Sequence, residues 1–235
     1  MIRIKIIYDN ISLKKGLKPA WGFAALINFN GKSILFDAGA RSDVLLDNMK
    51  AMGISPGLIT DVFISHNHWD HAGGLFGFLA KNHKVKIYLP ISFSDTYHKE
   101  IKATKAKPIR VDGFVQIAKD LYSTGSLGKE LKEQALIIDT PKGLVIVTGC
   151  AHPGILNIIK STKKSLKKPI YAVIGGFHLG SKNVAEVNKI IAEFKGLGVA
   201  YAGPCHCTGK KAIKRFKAAY GKNFTLVKAG AGLIF

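Results

Sequence analysis

His66-Asn67-His68-Trp69-Asp70-His71 is the stretch of sequence that decides both the fold and the site. It packs three histidines and one aspartate into six residues, directly after the apolar segment 61–65 and before Gly73-Gly74. Imidazole nitrogens and carboxylate oxygens are the usual ligands of a catalytic zinc-type ion. A regular strand would point alternate side chains to opposite faces, so the spacing predicts a loop that turns its donors to one point. The predicted metal ligands of this loop are His66, His68, Asp70 and His71.

Three further histidines follow apolar segments elsewhere in the chain. They are His152 in Gly149-Cys150-Ala151-His152, His178 in Gly175-Gly176-Phe177-His178, and His206 in Pro204-Cys205-His206-Cys207. Each stands after a predicted strand and before a predicted helix, so all three could reach the same sheet edge as the cluster. His83 and His98 lack this context, and we interpret them as ordinary surface residues.

Strands and helices alternate along the chain without a linker, a repeat or a low-complexity stretch. Predicted strands cover residues 2–8, 23–29, 33–36, 61–65, 84–88, 135–139, 144–148, 170–174, 199–202, 224–227 and 232–235. Predicted helices cover residues 42–52, 74–81, 154–163, 183–195 (capped by Ser181) and 210–220, and residues 92–127 are expected to form an irregular loop-and-hairpin excursion. Hairpins separated by helices favour two sheets packed face to face with helices outside, in a single domain over residues 1–235.

The composition limits the class of protein. The chain has 235 residues, of which 47% are hydrophobic, enough for one domain with a hydrophobic core. No apolar run is long enough to cross a bilayer, and the N-terminal segment lacks the apolar core of a signal peptide. We therefore expect a cytoplasmic protein that binds no membrane.

The charge is strongly positive, with 35 Lys and Arg against 15 Asp and Glu and a net charge of +20. The basic groups at 99–110, 160–168 and 210–217 lack the interleaved aromatic residues of a nucleic-acid stacking platform. We interpret them as a solvated basic surface of a thermophile, and nucleic acid is not the expected partner. The same charge suits a small anionic substrate.

The histidine cluster resembles the metal-binding signature of the metallo-β-lactamase superfamily, and Asp37, in Phe36-Asp37-Ala38-Gly39, matches a structural aspartate of that family. The resemblance implies a four-layer αββα sandwich of two mixed β-sheets with helices on the outer faces, and a two-metal site at one edge. The implied ligands are His66, His68 and His152 for one ion, and Asp70, His71 and His206 for the other. Zinc is the implied metal; iron and manganese suit the same donors, and a single ion is an alternative.

One position departs from the pattern of that family. Most two-metal members carry a bridging aspartate between the third and the last histidine ligand, whereas residues 153–205 contain no aspartate. The corresponding loop offers His178, which we interpret as a metal ligand or as an acid–base group that faces the substrate. The alternative is a structural histidine on a glycine-rich turn. Without the anionic bridge, more positive charge remains at the ions and attracts an anionic substrate.

A narrower resemblance extends over nearly the whole chain. It concerns the subfamily that contains dihydropterin–ribofuranosylaminobenzene phosphate synthase and proteins known only as metal-dependent hydrolases. The motifs that carry it are Glu133-Gln134-Ala135-Leu136, Gly149-Cys150-Ala151-His152-Pro153-Gly154-Ile155, Gly175-Gly176-Phe177-His178-Leu179 and His206-Cys207-Thr208-Gly209. This resemblance implies a place in methanopterin biosynthesis.

Three functions stay open at this point. The first is a hydrolase whose metal site activates water or polarises a phosphate-bearing small molecule, with Asp70 as ligand and proton acceptor. The second is a transferase that joins a dihydropterin diphosphate to ribofuranosylaminobenzene phosphate, and the third is a nuclease. A di-iron oxidoreductase is disfavoured, because His68 stands where such members of the family carry glutamate.

Trp69 and the cysteines each have two interpretations. Trp69 either lines the pocket and stacks on a flat substrate or fills the core. The odd cysteine count argues against a disulfide framework. Thiolates bind zinc well, but neighbours of a ligand usually point away from it, so we favour a packing role for Cys150, Cys205 and Cys207.

Overall fold

A computed structural model describes residues 1–235. The strands are β1 (Arg3–Tyr8), β2 (Ala24–Phe29), β3 (Lys32–Phe36), β4 (Asp61–Phe63), β5 (Lys86–Pro90), β6 (Lys107–Val111), β7 (Val115–Ala118), β8 (Leu121–Ser123), β9 (Leu136–Thr140), β10 (Gly143–Thr148), β11 (Ile170–Gly176), β12 (Tyr201–Cys205) and β13 (Gly232–Ile234). The α-helices are α1 (Ser42–Ala51), α2 (Trp69–Ala72), α3 (Leu75–Leu79), α4 (Asp95–Ala103), α5 (Ile155–Leu166), α6 (Val184–Gly196) and α7 (Lys210–Tyr220). None of the helices is both long and apolar enough to span a membrane.

The chain forms two compact units. The first unit contains Met1–Asp112 and Lys228–Phe235, and the second unit contains Gly113–Val227. Each unit holds one mixed sheet with its own helices, so the predicted α/β fold with two mixed β-sheets is confirmed. That the whole chain is one domain stays a prediction.

The first unit is built on a seven-stranded sheet in the order β13-β1-β2-β3-β4-β5-β6. β1, β2 and β3 form an antiparallel meander, and β3 to β6 run parallel. Asn30 and Gly31 join β2 to β3 with φ of 46° and 74°, the left-handed backbone that a two-residue hairpin turn requires. Because the parallel strands all end at one edge of the sheet, the loops after β3 and β4 are neighbours.

The second unit is built on a six-stranded sheet in the order β12-β11-β10-β9-β8-β7. β7 to β10 are antiparallel, while β10, β11 and β12 run parallel to one another. Its core includes the rings of Phe177, Phe194 and Phe216, whose centroids lie 5.2–5.4 Å apart. Phe194 and Phe216 come from α6 and α7, so burial of these rings fixes both helices in the unit.

Four details of the sequence prediction are wrong. Residues 92–127 include the expected hairpin, β7–β8, but the rest is not irregular, because it contains helix α4 and strand β6 of the first sheet. Residues 224–227 form no strand beyond a single bridge from Phe224 to Ala202. Asn183, not Ser181, caps α6, because its side chain accepts a hydrogen bond from the backbone of Glu186. His98 is buried rather than on the surface, with 6% of its area exposed.

Candidate metal centre

The six-residue histidine cluster of the first unit combines a loop with one turn of helix. His66 lies in the bend that follows β4, His68 is the extended residue before α2, and Asp70 and His71 lie within α2. The rings of His66 and His71 have centroids 4.2 Å apart, and those of His66 and His68 lie 4.7 Å apart. Asp70 Oδ2 lies 3.7 Å from His71 Nε2. The first unit thus brings its four predicted ligands together.

Asp37 fixes the orientation of this cluster. It is fully buried at the end of β3, and its carboxylate accepts hydrogen bonds from the backbone N–H and the hydroxyl of Ser65, at 2.7 and 2.8 Å. Asp37 Oδ2 also lies 2.7 Å from His71 Nδ1, and Ser65 Oγ lies 2.8 Å from His66 Nδ1. Both buried imidazoles are therefore held through Nδ1, so that a metal would bind through Nε2.

Close backbone packing sets the position of α2. The backbone N–H of Ala38 donates to the carbonyl of His71 at 2.7 Å, and that of Gly74 donates to Gly39 at 3.1 Å. A Cβ atom at Gly74 would collide with the carbonyl oxygen of Ala38. The Gly73-Gly74 pair that follows the cluster is thus needed for the approach of two loops and not only to end a helix.

The three dispersed histidines of the second unit come from the carboxyl ends of three neighbouring parallel strands. His152 follows β10, His178 follows β11, and His206 follows β12 directly. The rings of His152 and His178 have centroids 4.5 Å apart. Parallel register brings residues that are distant in sequence to one sheet edge, as the strand-then-helix context predicted.

Glu133 anchors this edge of the second sheet. Its fully buried carboxylate accepts hydrogen bonds from the backbone N–H groups of Cys150, Ala151 and His152, at 2.8–2.9 Å. The same carboxylate lies 2.8 Å from His152 Nδ1. Glu133 therefore orients the ring of His152 as Asp37 orients the ring of His71.

Two cysteines join the histidines of the second unit. The donor atoms of Cys150, His152 and His178 lie within 4.8 Å of one another, as do those of Cys150, His206 and Cys207. Hydrogen bonds from the side chains of Cys150 and His178 lower the pKa of the Cys207 thiol against the opposing effect of burial. The hydrogen bond with Cys207 raises the pKa of His178. The two side chains therefore favour a thiolate–imidazolium arrangement.

Backbone strain is concentrated at the same places. Asp37, Ala151, His178 and His206 are non-glycine residues with φ between 49° and 63°, in the left-handed region. Such backbone costs free energy and persists where surrounding contacts determine it, commonly at ligand sites. At Asp37 its own hydrogen bonds supply those contacts, and at Ala151 the carboxylate of Glu133 does so.

The donor sets of both units fit a first-row transition metal. Imidazole and carboxylate are zinc-type donors, and hydrogen bonding of Nδ1 to a carboxylate or hydroxyl is the usual support of a ligating histidine. The side chains of His71 and Asp37 are fully buried, an arrangement suited to a ligand that must be held rigidly. The predicted pairing of His66 and His68 with His152, and of Asp70 and His71 with His206, stays a prediction.

The structure separates the two interpretations of Trp69 and identifies supporting residues that the sequence did not. Trp69 is 65% exposed, so it does not fill the core. Ser65 and Glu133 escaped prediction as site residues because neither lies in a donor-rich motif. One feature of the sequence did point to Glu133. It lies just before the buried run of β9, where a carboxylate is costly to bury.

Residues 22–156 match the family model of the metallo-beta-lactamase superfamily, and the chain belongs to that superfamily. Over 90% of its length it is 32% identical to 7,8-dihydropterin-6-methyl-4-(beta-D-ribofuranosyl)-aminobenzene-5'-phosphate synthase of Methanocaldococcus jannaschii, of which it covers 90%. The crystal structure of Tm1679, described as a metal-dependent hydrolase of the beta-lactamase superfamily, matches with a TM-score of 0.86 and 32% identity. That match covers 100% of this chain and 99% of the other.

A shorter similarity involves a nuclease. Ribonuclease Z of Chlamydia muridarum is 31% identical to this chain over 108 residues, which are 40% of this chain and 34% of the nuclease. The predicted superfamily is thus confirmed, as is the narrower resemblance to a synthase and to a metal-dependent hydrolase.

Proposed function

We propose that this protein is a metal-dependent enzyme that acts on a phosphate-bearing small molecule, and that its reaction is hydrolysis. The observation that carries the proposal is the orientation of His66, His71 and His152, each held through Nδ1. A histidine that serves only packing needs no such fixed ring nitrogen. The net charge of +20 supports an anionic substrate.

The proposed ligands are those that the family resemblance implies. His66, His68 and His152 would hold one zinc ion, and Asp70, His71 and His206 would hold a second; iron or manganese would suit the same donors. Such ions, when bound, supply Lewis acidity and lower the pKa of a water ligand toward neutrality. We place the enzyme in the cytoplasm.

The remaining roles fall to side chains near the ligands. Asp70 has a buried carboxylate that can accept a proton as well as ligate. His178 is exposed, and the hydrogen bond with Cys207 raises its pKa, so we assign it the role of proton donor to a leaving group. Trp69 presents an exposed indole next to Asp70 in sequence, and a flat substrate could stack on it.

The second candidate is a transferase. The similarity to the synthase of M. jannaschii extends over 90% of both chains, which supports the same reaction class here. In that case the site would bind the diphosphate of a dihydropterin while ribofuranosylaminobenzene phosphate replaces water as the acceptor. A nuclease is the third candidate and has weaker support, because the similarity to ribonuclease Z covers 40% of the chain.

One experiment separates these candidates. Protein loaded with zinc, manganese or iron is incubated with a dihydropterin methyl diphosphate, with and without ribofuranosylaminobenzene phosphate, and then with a panel of phosphoesters and single-stranded RNA. Release of phosphate or diphosphate without an acceptor supports hydrolysis, whereas release that requires the acceptor supports transfer. Cleavage of RNA alone supports a nuclease. Metal-loaded protein that turns over none of these overturns the proposal.

The matched variants are His66→Ala, His152→Ala and His83→Ala. His83 is a half-buried histidine outside both donor sets. We expect the first two variants to lose bound metal and activity, and His83→Ala to retain both. Equal losses in all three would mean that stability rather than metal binding is being measured.

A further inference from the structure

A cavity of about 780 Å³ opens beside His152, entirely within the second unit. Its walls are the loop that joins β8 to β9 and the first two turns of α5. We refer to it as the His152 cavity. Pockets of this volume bind small organic molecules. Because His152 is one of the proposed metal ligands, a molecule in this cavity would lie next to the metal centre.

The wall of the His152 cavity is mostly apolar. Leu127, Leu131 and Pro153 supply apolar side chains, and Asn157 and Ser161 add polar groups from α5. Asn157 Nδ2 donates a hydrogen bond to the carbonyl oxygen of Pro153 at 2.8 Å, which leaves Asn157 Oδ1 to accept one from a ligand. Such a wall suits a ring that packs on apolar side chains and carries a hydrogen-bond donor.

The loop wall is joined to His152 through Glu133. The backbone N–H groups of Leu127 and Glu133 each donate to the carbonyl oxygen of the other, at 2.9 Å. The carboxylate of Glu133 in turn accepts from the backbone of His152 and lies 2.8 Å from its Nδ1. A Cβ atom at Gly128 would lie 2.4 Å from the carbonyl oxygen of Leu131, so the loop closes tightly on itself. The wall is therefore formed before a ligand binds, which lowers the cost of binding.

The charges at the His152 cavity balance one another. Lys129 and Glu130 both line it, both are exposed, and they carry opposite charges. The cavity therefore offers no concentrated positive charge to a phosphate group, whereas the proposed metal centre does. This difference assigns the uncharged part of a substrate to the cavity and its phosphate to the metal ligands.

We propose that the His152 cavity binds the organic body of the substrate, and that this body is an aromatic ring packed on Leu127, Leu131 and Pro153. The inference rests on the proposed function, since it places the phosphate of the same molecule at the metal centre. It narrows the substrate class to phosphate compounds with an aromatic or heteroaromatic ring, and it makes these three side chains determinants of specificity.

The test compares the binding of two phosphonates to the zinc-loaded full chain by isothermal titration calorimetry. Phenylphosphonate and methylphosphonate carry the same anionic group on a carbon–phosphorus bond that phosphoesterases do not hydrolyse, and they differ in the ring. We expect phenylphosphonate to bind about tenfold more tightly or better, because its ring is transferred from water to an apolar wall. The ratio of the two affinities is the ring preference.

Two variants act on the wall without touching a proposed metal ligand. Ser161→Leu fills part of the cavity and should reduce the ring preference about threefold or more, with the affinity for methylphosphonate unchanged. Its matched control is Ser165→Leu, an exposed serine one turn further along α5 and outside the cavity lining. Leu131→Ala removes an apolar contact and should reduce the ring preference about threefold, whereas Leu166→Ala, another half-buried leucine, should not.

Equal affinities of the two phosphonates for the wild-type chain overturn the inference, and so does the absence of binding by either. Equal losses of ring preference in Ser161→Leu and Ser165→Leu overturn it as well, because the effect would then not come from the cavity. A ring preference in a protein that hydrolyses no phosphate compound supports the inference and contradicts the proposed hydrolysis. Hydrolysis without a ring preference has the opposite meaning, so the two proposals can fail separately.

Discussion

The first unit takes its four donor residues from six consecutive positions, whereas the second unit takes its histidines from three strand ends between residues 152 and 206. Both support their histidines with a buried carboxylate: Asp37 in the first unit and Glu133 in the second. The first cluster can be recognised from local sequence, because loop and helical turn fix its geometry. The second exists only when three parallel strands are in register, so its sequence signal is dispersed.

The largest effect should come from removing the carboxylate of Glu133, which supports the dispersed histidines of the second unit. Glu133→Ala leaves three backbone N–H groups, two of them buried, and the ring of His152 without their acceptor. We expect the free energy of unfolding to fall by about 3–5 kcal/mol, as for other broken buried charged networks. Urea denaturation measures it, with Glu193→Ala, a partly exposed glutamate on α6, as control. A loss below about 1 kcal/mol would show that the second unit does not depend on this carboxylate.

Asp37→Asn tests the corresponding carboxylate support in the six-residue histidine cluster of the first unit. In this variant an N–H₂ group replaces one of the two carboxylate oxygens. That oxygen now either accepts a hydrogen bond from Ser65 or faces His71 Nδ1, and an amide N–H₂ group cannot accept in its place. Metal affinity should fall about 10–100-fold, the usual result of losing such support. Competition with a chromogenic chelator measures it, and Asp47→Asn, on the surface, is the matched control. Unchanged affinity would mean that loop and helix alone orient His71.

How much of the molecule the sequence predicts depends on the range of the interactions involved. The hairpin at Asn30-Gly31 was predicted correctly because it is local, and the side chains of the six-residue histidine cluster lie together for the same reason. That they bind metal stays a prediction. Helix α4 was missed although Ser94 caps it and Phe93, Tyr97 and Ile101 recur at every fourth residue. Strand β6 was missed because it gains its stability from pairing with β5. Glu133 stands in a family motif but was given no role at the site, because its hydrogen-bond partners lie 17 to 19 residues along the chain.

Gly176 and Gly196 allow a glycine that long-range packing requires to be compared with one that has open space around it. Gly176→Ala would push a methyl group into the carbonyl oxygen of Gly149 and to 2.6 Å from Cys207 Sγ. We expect a destabilisation of about 1–3 kcal/mol from overpacking. Gly196→Ala, at the end of α6 with open space around it, should instead stabilise by about 0.5–1 kcal/mol. Thermal unfolding compares the two; effects of the same sign would contradict the packing argument.

The smallest effect concerns a histidine that belongs to neither cluster. His98 is buried, its Nε2 has no hydrogen-bond partner, and burial followed by the charge of Arg110 lowers its pKa below 6.5. Lys102 also lowers that pKa, and Asp95 opposes the shift. As pH falls below 6.5, the unfolded chain takes up a proton that the folded protein resists, so stability decreases.

The check is urea denaturation at pH 7.5 and 5.5. His98→Leu should remove a pH-dependent loss of less than about 1 kcal/mol between these two values, and His83→Leu should not change it. A wild-type loss that persists in His98→Leu would assign the acid sensitivity to other groups. This result would separate a buried histidine without support from those held by Asp37 and Glu133.

The order in which the chain is synthesised has a consequence for the strand β13. Its residues, Gly232–Ile234, pair with β1 at the edge of the first sheet, so β1 emerges from the ribosome more than 200 residues before this partner. The second unit, Gly113–Val227, is continuous and can complete its sheet before that happens. During translation, this edge of β1 therefore stays unpaired until β13 is made, which leaves it open to wrong pairing with a neighbouring nascent chain.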